Sequence, residues 1–355
     1  MKKGIAFILA LCMGLSLAAC GNKPEEEWEP TPDPKQEAVV SEAVQPEEVS
    51  AYPMTVTDGA GREVVIEEQP EKIVSGYYIS SSALIALGQK EKLVGIEAKA
   101  DKRPIYSLAA PELIELPSVG TAKEFDLEGC VALEPDLVIL PIKLKNVVET
   151  LESLGMKVLL VNPETQEQLE EMIALLAKVM GAEEQGEKLL NFLETQKQGL
   201  EKAVSGDDNN PLVYMAGNSS LLSTAGTEMY QSSMIERAGG QNVAKEIEDS
   251  YWVEVSYEQL LAWDPDYIVL ASDASYSVED VMSDKNLADC KAVKEGQVVQ
   301  MPNKAEAWDS PVPGGILGSV WLASVLHGET ISEEQRDQII DEFYETFYGF
   351  IYSEN

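Results

Sequence analysis

The chain has 355 residues with 62 acidic and 26 basic side chains, and its formal net charge is −36 at pH 7. This charge disfavours nucleic acid as a partner, because phosphate binding requires clustered lysine and arginine. The single histidine, His327, argues against a site for bare zinc or manganese, which normally needs several imidazoles. The motifs G-x-S-x-G, G-x-G-x-x-G, H-E-x-x-H and the P-loop do not occur, so we expect no enzyme activity, no metal site and no cofactor.

Residues 1–19 have the pattern of a lipoprotein signal peptide. Lys2 and Lys3 precede an uncharged apolar stretch that is too short to span about 30 Å of hydrocarbon as a helix. The segment 17–21, Leu-Ala-Ala-Cys-Gly, resembles the lipobox of bacterial lipoproteins, in which the cysteine is acylated and becomes the new N-terminus. We therefore expect Cys20 to carry a lipid anchor on the extracytoplasmic face of the cell membrane.

Residues 20–52 form an acidic, proline-containing segment with few bulky apolar side chains. Such a segment buries too little apolar surface to offset the entropy lost on ordering, so we expect a disordered tether. About 300 residues follow it, which is enough for two lobes with their own cores.

Two cysteines remain beyond the signal peptide and the lipid site, Cys130 and Cys290. No C-x-x-C pair suggests zinc binding or redox chemistry. We expect two separate small core residues. A bridge between them is the alternative in an oxidising compartment.

Residues 53–165 alternate short apolar runs with helical patterns, which predicts an N-terminal α/β lobe. Continuous apolar runs of this length indicate strands buried on both faces, as in a parallel sheet. The predicted strands are 73–75, 93–96, 137–140 and 158–161. Residues 166–205 then follow a 3.6-residue apolar period, and Gly181 and Gly186 favour two consecutive connecting helices over one.

A second α/β alternation occupies residues 206–330, after a turn signal at 206–211. The predicted strands are 212–215, 221–224, 267–270 and 298–301. Residues 331–355 predict a C-terminal helix. Trp321 lies in an apolar helical run and is expected in the core, whereas His327 ends that run and is expected at the surface or the helix end, not at a ligand.

The two lobes share an internal repeat. Glu128 lies seven residues before a proline in Glu-Pro-Asp, which opens the strand 137–140. Glu258 lies seven residues before the proline of Asp-Pro-Asp, which opens the strand 267–270. Proline–aspartate turns are common in α/β folds, so the matched position of the two glutamates is the more informative part.

With these segments in order, residues 53–352 resemble the substrate-binding proteins of ABC importers that take up ferric siderophores, haem and cobalamin. The resemblance rests on the repeat above and on segments 56–62, 222–227, 235–244 and 347–349. It implies two doubly wound lobes joined by a long rigid helix, with a shallow ligand cleft between them. It also implies a monomer, held at the membrane by its anchor, that delivers a small-molecule chelate to a permease dimer. Glu128 and Glu258 match the glutamates that dock into arginine pockets of the permease in that family, where carboxylate–arginine contacts fix orientation.

The ligand cleft is expected at loops that follow the strand ends, as in other open α/β sheets. Aromatic side chains there would contact a ring or chelate, and lysine, serine or threonine would address its oxygen atoms. The candidates are Tyr77, Tyr78, Ser80, Lys123, Lys143, Lys145, Ser223, Thr224, Tyr251, Trp252, Asp273 and the segment 306–311 with Trp308.

Two alternatives stay open from the sequence. In an oxyanion receptor of the same fold, for molybdate or tungstate, the lysines and hydroxyls would matter more than the aromatic residues. A surface lipoprotein without a transport role is the other.

Overall fold

The computed structural model describes residues 51–205, 210–248 and 251–354. The expected signal peptide 1–19, the lipid site Cys20 and nearly all of the expected tether 20–52 lie outside this part of the chain. Tyr52, at the end of the expected tether, already contacts the folded part, because its hydroxyl donates a hydrogen bond of 2.8 Å to the backbone carbonyl of Val179.

The described residues form twelve strands and twelve α-helices. The strands are β1 Met54–Thr57, β2 Glu63–Ile66, β3 Ile73–Ser75, β4 Leu93–Ile96, β5 Leu137–Pro141, β6 Lys157–Val161, β7 Leu212–Ala216, β8 Ser223–Ala225, β9 Gln241–Asn242, β10 Trp252–Glu254, β11 Tyr267–Leu270 and β12 Val298–Gln300. The helices are α1 Tyr78–Ala86, α2 Pro104–Ala109, α3 Leu127–Ala132, α4 Val148–Ser153, α5 Gln166–Met180, α6 Glu183–Val204, α7 Tyr230–Arg237, α8 Tyr257–Trp263, α9 Val278–Met282, α10 Lys291–Glu295, α11 Ile316–Leu326 and α12 Glu333–Tyr348.

The first lobe is built on a parallel sheet of four strands in the order β4-β3-β5-β6, beside the antiparallel hairpin β1–β2. Every residue of β3 and β5 is buried. Strands covered on both faces must be apolar throughout, which is why the sequence shows continuous apolar runs instead of alternation. The four strands predicted for this lobe are present.

The second lobe contains a mixed sheet in the order β10-β8-β7-β11-β12, with β9 paired to β7. Strands β7, β11 and β12 are parallel, whereas β8 and β10 are antiparallel additions at one edge. The strand predicted at 221–224 lies two residues later, at 223–225. The predicted two-lobed α/β fold is confirmed.

Helices α5 and α6 link the two sheets. Helix α5 begins with a capping box between Thr165 and Gln168 and ends at Gly181, which has a left-handed φ of 63°. Gly186 lies inside α6 and does not interrupt it. A Cβ at this position would come within 2.4 Å of Ala177 Cβ. The glycine therefore allows α5 and α6 to pack closely. Helix α6 also contacts α7 and α11 of the second lobe.

The internal repeat has the same backbone geometry in both lobes. Glu128 and Glu258 are exposed and lie in the first turn of α3 and α8. The residue before each proline adopts a positive φ, 49° at Glu134 and 43° at Asp264. Such backbone is rare for residues other than glycine, so the shared turn supports a structural repeat over a chance match.

Several core residues have the predicted environment. Cys130 and Cys290 are buried, unbridged and in different apolar clusters. Trp321 is buried in α11. His327 follows the last residue of α11, as expected for a helix-terminal residue, but it is buried and not at the surface, with Nε2 3.3 Å from the carbonyl of Gly239.

Candidate functional site

A pocket of about 170 Å³ is lined by side chains of both lobes. Its walls follow the carboxyl ends of four parallel strands, β3 and β4 in the first lobe and β11 and β12 in the second, which is where open α/β sheets leave a crevice. The lining residues are Tyr78, Ser82, Lys102, Arg103, Pro104, Ile105, Tyr106, Asp273, Asn303, Ala305, Glu306, Ala307 and Val312.

Arg103 is the best-positioned cation of this pocket. Its guanidinium carbon lies 3.8 Å from the ring centroid of Tyr78, a cation–π geometry that orients the planar group. Arg103 Nε is also 3.6 Å from Glu97 Oε1. This distance is too long for a hydrogen bond, and Nε has no hydrogen-bond partner in the described structure.

Glu97 is fixed by two side-chain hydrogen bonds. Tyr106 donates a hydrogen bond of 2.6 Å to Oε1, and Ser81 donates one of 2.7 Å to Oε2. Burial raises the pKa of Glu97, whereas these two hydrogen bonds and the Arg103 charge lower it. Burial also raises the pKa of Tyr78 to about 12, although Arg103 opposes this. Tyr78 is therefore a neutral phenol at neutral pH.

Glu306 is a buried carboxyl at the junction of the lobes. Ser82 of α1 donates a hydrogen bond of 2.6 Å to Glu306 Oε1, and the hydroxyl of Tyr348 in α12 lies 2.8 Å from Ser82 Oγ. Burial raises the pKa of Glu306 to about 7. The pocket thus combines Lys102 and Arg103 on one side with a carboxyl group that titrates near neutrality on the other.

Residues 73–305 match the family described as periplasmic binding protein. The chain belongs to the periplasmic binding protein family. It is therefore a substrate-binding protein of an ABC transporter that acts outside the cytoplasm. Proteins of this family bind solutes for transporters and are not enzymes. Within the described residues, none of the helices is long and apolar enough to span a membrane.

Similarity to known proteins extends over most of this binding protein. It is 26% identical to the molybdate-binding protein MolA of Haemophilus influenzae, over 84% of this chain and 91% of the relative. It is 26% identical to the Fe(3+)-citrate-binding protein YfmC of Bacillus subtilis, over 58% of this chain and 65% of the relative. The structure of a periplasmic solute binding protein from Veillonella parvula is similar with a TM-score of 0.75 and 27% identity, covering 84% of this chain and 93% of that one. Molybdate-bound MolA is similar with a TM-score of 0.74 and 25% identity, covering 84% and 98%.

The residues predicted for the cleft divide into four groups. Tyr78 and Asp273 line the pocket, and so does Glu306 of the predicted segment 306–311. Tyr77 lies next to it, with its ring edge against Tyr78 at 5.6 Å between centroids. Lys123, Lys143, Lys145 and Tyr251 are exposed, and Trp252 is partly buried on β10; none of these five lines the pocket.

Four other residues predicted for the cleft are buried inside the protein. Ser80 Oγ donates to the carbonyl of Tyr77 and lies 2.8 Å from Ser75 Oγ. Ser223 and Thr224 lie buried in β8, and Thr224 Oγ1 donates to the carbonyl of Met215. The fourth buried residue is Trp308.

Trp308 is a core residue with 1% of its surface exposed. Its Nε1 donates a hydrogen bond of 2.8 Å to the hydroxyl of Tyr344, and its ring lies 5.3 Å from that of Tyr352. The loop after β12 turns inward beneath the C-terminal segment, which places the indole away from the pocket. A position after a strand end was therefore a poor guide to the orientation of this indole.

We expect Trp308→Ala to lower the free energy of unfolding by about 3–5 kcal/mol, because it leaves a large cavity. Trp308→Phe keeps most of the apolar contact and should cost less. Urea unfolding followed by circular dichroism measures both, with Tyr251→Ala, an exposed aromatic, as the control. An unchanged midpoint for Trp308→Ala would contradict a core role.

Lys102, Arg103 and Tyr106 were missed by the sequence prediction. They follow β4 by a few residues, so applying the strand-end rule to that strand as well would have placed them in the crevice. The contact of Arg103 with Tyr78 had no signal in the sequence, because it joins segments that follow different strands.

Proposed function

We propose that this binding protein captures a small anionic metal chelate of the ferric siderophore or ferric citrate type and delivers it to an ABC permease. The observation that supports this proposal is the mixed character of the pocket. Arg103 and Lys102 provide charge-assisted donors for carboxylate or other oxyanionic groups, and Arg103 is planar and pre-oriented. Pro104, Ile105 and Val312 provide an apolar wall for the organic part of a chelate.

A bare oxyanion is the second candidate, and one observation favours it. The molybdate-binding relative is similar over 84% of this chain, with 26% identity. Against it, the pocket also contains the carboxyl groups of Asp273 and Glu306, which would repel a compact dianion in a site of low dielectric. The apolar wall gives an organic chelate contacts that a bare oxyanion lacks, so the chelate is the better match.

A thermal-shift panel separates the candidates, because a ligand that binds only the folded state raises the melting temperature. The panel contains ferric citrate, a ferric hydroxamate, haem, cobalamin, molybdate and tungstate at equal concentration. We expect the largest shift from one of the two ferric chelates. A larger shift from molybdate or tungstate would support an oxyanion receptor, and a larger shift from haem or cobalamin would support a ligand of greater size.

We also propose that Cys20 carries the lipid anchor and that the segment up to residue 52 is the tether. A short tether keeps a receptor at high effective concentration near its permease. Cys20→Ser is expected to move the protein from the membrane fraction to the soluble fraction of the same cells. Retention of the variant in washed membranes would rule out anchoring through this residue.

A further inference from the structure

Glu306 has an unusual position for an ionisable group. It follows β12, lines the ligand pocket and is only 6% exposed. It contacts the first lobe through Ser82 and the C-terminal helix through Tyr344 and Tyr348, whose hydroxyls each lie 3.4 Å from one of its oxygens. The same carboxyl group therefore borders the ligand, both lobes and α12.

All groups that hydrogen-bond to Glu306 are neutral. Burial raises its pKa to about 7, whereas hydrogen bonds from Ser82, Tyr348, the backbone of Gly314 and Tyr344 lower it. Tyr344 and Tyr348 themselves have pKa values raised well above their ordinary value by burial, so both remain protonated. Among the ion pairs of the described chain, none includes Glu306. Its negative charge has no fixed counter-ion.

The charged groups around the pocket come from both lobes. Lys102 and Arg103 face it from the first lobe, and Asp273 from the second. Asp309 lies in the same loop as Glu306 and is buried, but it does not line the pocket and is bound to the backbone N–H and hydroxyl of Ser272. Glu306 is thus the buried carboxyl that an anion entering the pocket meets directly.

We propose that Glu306 takes up a proton from solvent when an anionic ligand enters the pocket, and so acts as the residue that sets the charge the pocket accepts. Two negative charges close together in a site of low dielectric repel strongly, and protonation of Glu306 removes one of them. The affinity for the anion should then fall as the pH rises through neutrality. This inference rests on the proposed function, since it requires an anionic ligand.

The first test uses the ligand-free protein. Because burial raises the pKa of Glu306, its contribution to stability is fully present below pH 4.5 and is lost as the pH rises through about 7. The difference in melting temperature between Glu306→Gln and the natural protein should therefore increase, in favour of the variant, from pH 5 to pH 8. A difference that is constant across this range would show that Glu306 does not titrate there and would overturn the proposal.

The second test measures the protons taken up on binding, by isothermal titration with ferric citrate at pH 7 in buffers of different ionisation enthalpy. For a group half-protonated at the start, linkage predicts uptake of up to about half a proton per ligand. Glu306→Gln should lose this component, and subtracting the variant removes protons exchanged by citrate itself. Asp309→Asn, the matched buried carboxyl outside the pocket, should behave as the natural protein does.

Three results would contradict the coupling. These are binding without buffer dependence, proton release, or equal uptake by the natural protein and Glu306→Gln. Absence of binding by ferric citrate and also by the ferric hydroxamate would instead refute the proposed function, and the coupling with it. The two failures are distinguishable, because the first shows heats of binding and the second shows none.

Discussion

Replacing Glu128 and Glu258 together by alanine is expected to abolish uptake of the ligand and to leave its binding unchanged. Both side chains are exposed, lie in the first turn of α3 and α8, and occupy matched positions in the two lobes. We expect one carboxylate on each lobe to form charge-assisted contacts with arginine residues of the permease, which would fix the orientation of the receptor as well as its affinity.

The size of this effect follows from the energy of such contacts. Removing one partner of a desolvated charge pair at an interface costs about 2–5 kcal/mol, so each single replacement should reduce uptake and the double replacement should eliminate it. Stability should change little, because exposed substitutions are usually within about 0.5 kcal/mol of neutral. Transport of labelled chelate into cells measures uptake, and titration of the purified protein measures binding.

Two other glutamates provide a matched control. Glu149 and Glu279 are also exposed and also lie in the first turn of short helices, but they are outside the repeat. Their double replacement should leave uptake intact. If it impairs uptake as strongly as the Glu128 and Glu258 pair, general surface charge and not a specific docking pair is responsible. Loss of ligand binding in the Glu128 and Glu258 variant would also reject the docking assignment.

Arg103→Ala is expected to weaken ligand binding by roughly 10- to 100-fold. A hydrogen bond to a charged group contributes about 1.5–3 kcal/mol, and about 1.4 kcal/mol corresponds to a tenfold change in affinity. Arg103 is partly exposed, and its Nε has no hydrogen-bond partner in the described structure. The dissociation constant for ferric citrate, measured by titration, tests this expectation.

Two further variants sharpen the test. Arg103→Lys keeps the charge but loses the planar group that stacks on Tyr78, so it should still bind the ligand more weakly than the natural protein. Lys123→Ala removes an exposed lysine that does not line the pocket and should bind normally. Equal effects of Arg103→Ala and Lys123→Ala would indicate a general electrostatic contribution and not a specific contact.

The fold was predictable from the sequence because its signals are local. The apolar run of β5 is continuous because both faces of that strand are covered, and Gly181 ends α5 through its left-handed backbone. The glutamate repeat was visible for the same reason, since each copy lies within one turn–strand segment. Gly186 was misleading, because close packing between helices and a helix break both select glycine.

The pocket was harder to predict, because burial and side-chain direction depend on partners far along the chain. Trp308 is turned inward by Tyr344, 36 residues away, and Glu306 is bound by Ser82, 224 residues away. Ser80, Ser223 and Thr224 follow or lie in strands, as expected, but are buried. A strand-end position therefore identifies the right loops, and only the tertiary contacts decide which side chains reach the pocket.

We have proposed that the pocket binds an anionic metal chelate. The most direct test is to purify the full chain from cells that also contain its transporter. The metal content and visible absorption are then measured on the protein as isolated. We expect about one iron per chain with an absorption band of a ferric chelate, both reduced in Arg103→Ala. Molybdenum or tungsten in place of iron, with no visible absorption, would contradict it.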